Sequence, residues 1–176
     1  MSQKSGIQKF VWIILPILIW FGVIYGLSSQ THQKQDLRPW IKKEISDRTI
    51  KEHFSGTSFY YGDQKISLQT SSASSFLEFF IRKLAHLLVY SILGILIIRL
   101  FVVLTRWNLL YIFALTVLIC SAYAITDEFH QSFVTGRTSM PIDVLLDTIG
   151  AVLGALVYSL ISLIVKMFRA KKYKTP

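Results

Sequence analysis

The stretch LAHLLVYSILGILIIRLFVVL, residues 84–104, decides the fold of this chain. Apart from His86 and Arg99, it contains no acidic or basic side chain. A helix needs about 20 predominantly apolar residues to cross the hydrocarbon core of a bilayer, and this stretch meets that requirement. We therefore interpret residues 84–104 as a membrane-spanning helix.

Three other segments have the same character, and the composition of the whole chain agrees with them. Of the 176 residues, 52% are hydrophobic and only 16% are charged, and the mean hydropathy is +0.48. The sequence predicts an all-α membrane protein in which residues 1–176 form a single domain with four transmembrane helices. The expected spans are Phe10–Leu27, Leu84–Leu104, Leu109–Thr126 and Ile142–Val165.

The first apolar segment has a second interpretation, as a cleaved signal peptide. Lys4 and Lys9 precede it, and Gly26-Leu27-Ser28 resembles a small-residue cleavage site. Its apolar run is longer than the usual 7–15 residues of a signal peptide. We therefore expect a retained membrane anchor.

The distribution of charge predicts an orientation. With the N-terminus in the cytoplasm, all ten acidic residues and ten of the bases fall outside, and the other nine bases fall inside. Short inner loops and tails rich in lysine and arginine favour this arrangement, with both termini cytoplasmic. A basic tail beside a span more often meets anionic lipid than nucleic acid, so we expect no nucleic-acid partner. The inner bases are Lys4, Lys9, Arg99, Arg106, Lys166, Arg169, Lys171, Lys172 and Lys174.

The segment Ser28–Phe80 is the only sizeable stretch outside the predicted spans. Apolar residues recur at helical spacing over Pro39–Phe54, which predicts a short amphipathic helix on the outer surface. Aromatic and β-branched residues flank Gly62-Asp63, which indicates a small β-hairpin. The polar run Thr70–Ser75 then predicts a linker and a helix start, with the second span following from Phe76.

Polar side chains interrupt the outer ends of three spans at helical spacing. Arg82, His86 and Tyr90 are four residues apart, as are Asp143 and Asp147, so each set shares one helix face. Ionisable side chains at membrane depth are costly and usually mark a functional site. We predict that the following residues form a ligand-binding site at the outer leaflet: Arg82, Lys83, His86, Tyr90, Tyr123, Asp127, Glu128, His130, Gln131, Arg137, Asp143 and Asp147.

Several features also have simpler structural explanations. Arg82 and Lys83 at a helix end can extend to lipid headgroups, and Asp143 suits the first turn of any helix. Gly150 and Gly154 form a small-residue ridge that favours close helix packing, against another span or against a second copy in a homo-oligomer. Cys120 is the single cysteine, so it can form neither an internal disulfide nor a thiolate metal cage.

These motifs together resemble the VanZ-like family. The residues that carry the resemblance are Arg82-Lys83-Leu84-Ala85-His86 with Tyr90 and Gly94, Tyr123-Ala124, Asp127-Glu128-Phe129-His130-Gln131, Arg137, Asp143, Asp147, Gly150 and Gly154. The stretches Ser28-Ser29-Gln30 and Gln35-Asp36-Leu37-Arg38-Pro39 also resemble Gram-positive members. The resemblance implies a multi-pass protein of the bacterial cell membrane, in a family whose founding member confers low-level resistance to teicoplanin.

Three functions are compatible with such a site. In the first, Arg82, Lys83 and Arg137 bind the anionic group of an envelope lipid, a lipid-linked precursor or a lipoglycopeptide antibiotic. In the second, an enzyme acts on a lipid-linked, phosphate-containing substrate. Its candidate acid–base residues are Asp127, Glu128, His86 and Asp147. The third, a lipid transporter, needs a polar path to the inner face, where Arg99 is the one charge inside a span. We expect no cofactor and no metal, because strong metal-ligand motifs are lacking.

Overall fold

The computed structural model describes residues 3–137 and 139–172 of the chain. Four of its helices are long and apolar enough to cross a membrane, which confirms the predicted fold class. These helices are α1 (Gln3–Ser28), α4 (Ala73–Leu104), α5 (Leu109–Ser132) and α6 (Pro141–Lys172). Between α1 and α4 lie a 3-10 helix (His32–Gln35), α2 (Arg38–Glu44), α3 (Asp47–Phe54), β1 (Ser58–Tyr61) and β2 (Gln64–Ser67).

Two of the long helices extend further than the apolar runs indicated, at the end that the charge distribution predicts to be outer and that we call the outer end. Helix α4 begins at Ala73, inside the predicted polar linker, because the Ser72 hydroxyl caps it by accepting from the Ser75 N–H at 3.2 Å. Helix α5 continues past Thr126 to Ser132. The stretch from Asp127 to Gln131, which lies beyond the predicted end of the third span, is therefore helical, and the helix holds its polar side chains at fixed positions.

The predicted amphipathic helix is present as two pieces. Helix α2 ends before Ile45, whose backbone is extended, and Ser46 caps α3 by accepting from the Thr49 N–H at 3.2 Å. The apolar spacing across both pieces was correct, because Ile41 and Ile50 are buried in one cluster with Ala73 of α4. The break lets both short helices lie against the outer end of α4.

The predicted hairpin is confirmed, and it leans on α4. Strands β1 and β2 pair antiparallel, with Tyr61 opposite Gln64, and Gly62 makes the turn with φ of 57°. The rings of Phe59 and Tyr61 lie 6.0 Å and 5.2 Å from the ring of Phe79 on α4. A two-stranded hairpin is marginally stable alone, so this aromatic contact holds it over the outer ends of the spans.

Helices α4 and α6 approach each other at their backbones. A Cβ atom added at Gly150 would lie 2.5 Å from the Leu87 carbonyl oxygen, and one at Gly154 would overlap the Ser91 carbonyl oxygen. The Ser91 hydroxyl also donates to the Gly150 carbonyl at 2.9 Å. The partner of the small-residue ridge, which the sequence left open, is thus α4 of the same chain. A homo-oligomer stays an untested expectation.

Helix α1 packs on the other side of this pair. Its Ile17 and Ile24 are buried with Tyr90 and Cys120 in the largest apolar cluster of the described residues, and the Trp20 indole N–H donates to a carbonyl of α4 at 2.9 Å. Most of its remaining apolar side chains are exposed, as in a helix that faces lipid. Helix α1 therefore closes one side of a space at the outer ends of α4 and α5.

We predict that Gly154→Ala destabilises the protein through the α4–α6 contact. The added methyl group meets backbone that cannot rotate away, and overpacking of this kind typically costs about 1–3 kcal/mol. The matched control is Gly22→Ala in α1, where an added Cβ has nothing within 4 Å. Thermal unfolding of the detergent-solubilised protein measures both. Equal melting temperatures for the two variants would contradict the packing assignment.

Candidate functional site

Lys83 and Asp143 form the tightest ion pair between α4 and α6. The Lys83 Nζ lies 2.5 Å and 2.7 Å from the two Asp143 oxygens, and the Tyr61 hydroxyl donates to Oδ1 of the same carboxylate at 2.5 Å. The ammonium also lies 4.5 Å from the centre of the Tyr61 ring. Three elements, α4, α6 and the hairpin, are thus joined at one carboxylate.

One turn deeper, His86 faces Asp147 across the same helix pair. The His86 Nδ1 lies 3.2 Å from Asp147 Oδ1, and the Asp147 side chain is 1% exposed. A carboxylate at Nδ1 orients an imidazole and leaves Nε2 free for a second partner. In the described part of the chain, Nε2 of His86 has no hydrogen-bond partner, and His86 lines both cavities described below.

The two acidic residues of α5 are held by uncharged donors. The Gln131 amide donates to Asp127 Oδ2 at 2.9 Å, one helical turn away on the same face of α5. Glu128 Oε1 accepts from the backbone N–H of Met140, and its Oε2 has no partner among the described residues. Neither carboxylate forms an ion pair with a described lysine or arginine.

Arg82 and Arg137 converge on one amide oxygen. The Oε1 of Gln35 accepts from Arg82 Nη2 at 2.9 Å and lies 3.4 Å from Arg137 Nη2. Arg137 also donates to the carbonyl of Ser28 at 2.6 Å, which ties it to the end of α1. Within the described ranges, neither guanidinium is paired with a carboxylate. Two cations are thus brought together with no opposing anion in contact.

The electrostatics outside the spans agree with this arrangement. Burial and the neighbouring Arg82 charge both lower the pKa of Arg137 from its usual range, although nearby carboxylates act in the opposite direction. Burial, followed by the hydrogen bond to Asp143, raises the pKa of Tyr61. Tyr61 therefore stays a neutral donor, and Arg137 is a cation that a further anion would stabilise.

The first cavity has a volume of about 350 Å³ and lies between α1, the 3-10 helix, α4 and α5. Its apolar wall consists of side chains from α1, α4 and the start of α2, and its polar end contains Arg82, Arg137 and Asp127. The buried hydroxyls of Ser28 and Tyr90 line it and have no hydrogen-bond partner among the described residues. The apolar wall is formed by Ile24, Leu27, Leu37, Ile81 and Val89.

A second cavity of about 270 Å³ adjoins the first, and Gln64 of the hairpin is among its lining residues. Its lining is mainly polar and includes Gln64, Ser75 and Glu78. The two cavities share four lining residues, so a wall of hydrogen-bonding side chains separates an apolar space from a polar one. The shared residues are Arg82, His86, Gln131 and Arg137.

The structure brings most of the predicted residues together. All except His130 and Tyr123 line a cavity or bond to a residue that does. His130 instead stacks on Tyr25, with its Nε2 at 3.2 Å from the Ser29 hydroxyl, on the α1 side of α5. Tyr123 packs between aromatic rings below the first cavity, with its ring 6.4 Å from that of Tyr90. Their roles in a site stay predictions.

Several polar residues of the site were not among the predicted ones, and three of them connect its elements. Gln35, Tyr61 and Glu78 come from the outer segment or from the first turns of α4, and each bonds to an element distant in sequence. Gln35 lies in one of the stretches that resemble the VanZ-like family, which was the available signal for it. No cluster of three or more histidine, cysteine or acidic residues suited to a metal ion occurs in residues 3–137 and 139–172.

The comparison with protein families agrees with the motifs. A sequence model of the VanZ/LLP1 family matches residues 12–162. Because this match covers most of the chain, the protein belongs to the VanZ/LLP1 family. With its four apolar helices, it is a membrane protein of that family. No curated protein and no solved structure matches the chain.

We predict that removing one partner of the Lys83–Asp143 pair costs more stability than removing both charges. Lys83→Met leaves Asp143 buried and uncompensated, and breaking a buried pair typically costs about 3 kcal/mol or more. The double variant Lys83→Met/Asp143→Asn keeps an acceptor for Tyr61 and should recover much of the loss. The control Arg48→Met removes an exposed pair with Glu52, whose contribution is about 1 kcal/mol at most.

The free energies of unfolding of the wild type and of these three variants in detergent measure the losses. A double variant that is as unstable as Lys83→Met would show that the lysine stabilises the fold by packing rather than by neutralising Asp143.

Proposed function

We propose that this membrane protein binds the anionic headgroup of an amphiphile at the outer leaflet, with Arg82 and Arg137 as the anion-binding pair. The observation that carries the proposal is the meeting of two guanidiniums at Gln35, where neither has a carboxylate partner among the described residues. Guanidinium groups have planar donor arrays that fit phosphate and carboxylate oxygens. An anion between them would relieve the repulsion of two neighbouring cations.

We assign Lys83 a different role in this proposal from the one that the sequence predicted. It was predicted to bind the ligand together with the two arginines, but both of its short contacts are to Asp143. Its charge is therefore already compensated inside the protein. The proposed anion site accordingly depends on Arg82 and Arg137, and Lys83 holds α6 and the hairpin in place around it.

The first cavity supports an amphiphile rather than a free anion. Its apolar wall of Ile24, Ile81 and Val89 can cover a hydrocarbon chain while the arginines hold the charged end. Ser28 and Tyr90 offer two buried hydroxyls without partners, and buried polar groups are seldom left unpaired. A ligand with a chain and a hydrogen-bonding headgroup would satisfy both ends of this space.

The orientation and the antibiotic connection are parts of the proposal. We place both termini in the cytoplasm of a bacterial cell, because the nine bases of the predicted inner face have no acidic neighbours there. An acylated antibiotic such as teicoplanin is an amphiphile, and it would use the same cavity as an envelope lipid. The family's connection with that compound supports this ligand class without identifying the native ligand.

A second candidate function, hydrolysis of the bound lipid, is favoured by the His86–Asp147 pair. The pair lies against the cavities with Nε2 of His86 free, which is the arrangement of a general base held by a carboxylate. His86 would take a proton from a water whose oxygen bonds to the phosphorus, the P–O bond to the leaving alcohol would break, and the imidazolium, stabilised by Asp147, would return the proton to that alcohol oxygen. Asp127 and Glu128, the other catalytic candidates, are held by uncharged donors, and within the described ranges neither hydrogen-bonds to a histidine as Asp147 does.

We predict that Arg82→Gln and Arg137→Gln each weaken binding of dioctanoyl phosphatidylglycerol to the purified protein. A hydrogen bond to a charged group contributes about 1.5–3 kcal/mol, so each loss should raise the dissociation constant about tenfold or more. The control Arg48→Gln removes the same charge outside the site and should leave the constant unchanged. Isothermal titration in a neutral detergent measures all four proteins, and equal affinities among them would contradict the proposed function.

The same samples separate binding from hydrolysis. Under the second candidate function, mass spectrometry of the recovered lipid shows cleavage by the wild type, and Asp147→Asn stops it while the affinity is retained. Intact lipid after long incubation with the wild type would exclude that function for this substrate.

We predict the orientation to be measurable with single cysteines in a Cys120→Ser background. A cysteine at Thr135, in the loop after α5, should react with a membrane-impermeant thiol reagent in intact cells. A cysteine at Lys172 should react only after the membrane is opened. Labelling of position 172 from outside would reverse the orientation and remove the argument for the outer leaflet.

A further inference from the structure

The two cavities meet at the arginine pair, which lines both of them, and this limits the chemistry of the ligand. The first cavity is largely apolar, whereas the second is lined by polar groups such as Gln64, Ser75 and Glu78. Arg82 and Arg137 line both of them. A ligand that fills both spaces has its anion in the middle, with a hydrocarbon chain on one side and a hydrogen-bonding group on the other.

We infer that the ligand is a phosphodiester amphiphile, in which the phosphate links a hydrocarbon part to a hydroxyl-rich polar group. This inference rests on the proposed function and names the ligand class of the same site. A fatty carboxylate or a phosphate monoester ends at its anion and leaves the second cavity unused. A diester continues past it, and the hydroxyls of a polyol or sugar suit the carboxylate and amide acceptors there.

The acidic residues around the arginines also favour a phosphodiester ligand. Asp127 lines the first cavity, and Glu78 and Asp143 line the second. A phosphate monoester carries a charge of about −1.5 to −2 at neutral pH, whereas a diester carries a single negative charge. Asp127, which forms no ion pair with a described base, would repel the second charge of a monoester, whereas Glu78 and Asp143 are already paired with Arg38 and Lys83. Hydroxyl groups in the same places would instead donate hydrogen bonds to these carboxylates.

The hairpin contributes one side chain, Gln64, to the lining of the second cavity. Gln64 opens β2 beside the turn of the hairpin, and the hairpin is held over the site by Tyr61 and its bond to Asp143. Lys65, the next residue of the strand, is exposed and does not line the cavity. A bulky side chain at position 64 would fill the polar cavity, and the same side chain at position 65 would not.

The test compares two lipids that have identical dioctanoyl chains, phosphatidylglycerol as the diester and phosphatidic acid as the monoester. We expect the purified wild type to bind the diester about tenfold more tightly, the equivalent of about one additional hydrogen-bonded group. Gln64→Trp should lower diester affinity to the level of the monoester without changing monoester affinity. Lys65→Trp is the matched control and should change neither.

The outcomes separate this inference from the function on which it rests. If the wild type binds the monoester as tightly as the diester, and both affinities fall in Arg82→Gln, the ligand class is wrong and the anion site stands. If Gln64→Trp weakens both lipids equally, the polar cavity does not select the headgroup, and the inference is again wrong. If neither lipid responds to Arg82→Gln, the anion site itself is contradicted, and the ligand class fails with it.

Discussion

The site depends on the contact between the backbones of α4 and α6. Successive contacts from Lys83 with Asp143 to Ser91 with Gly154 advance along both helices together, so the two helices run parallel and stay close over several turns. This approach is permitted by Gly150 and Gly154, because any larger residue would meet a carbonyl oxygen of α4. We call this α4–α6 contact the seam. Side chains at its outer end are therefore held with little conformational freedom.

The buried charges are arranged by that seam. Asp143 and Asp147 are one turn apart on α6, and they meet Lys83 and His86 on α4 as two consecutive polar layers. Each carboxylate is costly to bury alone, so the pairs act as a unit that requires both helices in register. Arg82 is adjacent in sequence to Lys83 but points to a different partner, Gln35, and so stays outside these pairs.

The segment between α1 and α4, which we call the outer segment, adds the remaining residues of the site. Gln35 and the end of α1 bring Arg137 beside Arg82, and the hairpin covers the polar cavity through Tyr61. An arginine pair without a carboxylate is the feature that distinguishes this site from a purely structural network. The apolar and polar cavities that meet at this pair explain why an amphiphile is the proposed ligand and a small soluble anion is not.

Much of this arrangement could be predicted from spacing alone. Four-residue intervals placed Arg82, His86, Asp143 and Asp147 on continuous faces, and the apolar runs placed those faces at one side of the bilayer. Periodicity could not show that Lys83 would be neutralised while Arg82 would not. That outcome depends on which side chains of other elements meet each residue in the folded chain, Asp143 for Lys83 and Gln35 for Arg82.

Residue spacing could not predict which residues the outer segment contributes to the site. Gln35 and Tyr61 reach the site through tertiary contacts with Arg82 and Asp143, and no local pattern encodes those contacts. The break at Ile45 depends in the same way on two short helices fitting against α4. Helix α5 continues beyond Thr126, its predicted end, because polar residues can extend a helix after its apolar run has ended.

The most direct measurement is a crystal structure of the protein grown with a phosphatidylglycerol whose acyl chains carry bromine. The account predicts a phosphate between the guanidiniums of Arg82 and Arg137, and anomalous bromine signal along the apolar wall near Ile24 and Val89. Arginines that remain on Gln35 alone, with bromine only around the outer surface of the helices, would contradict the central claim.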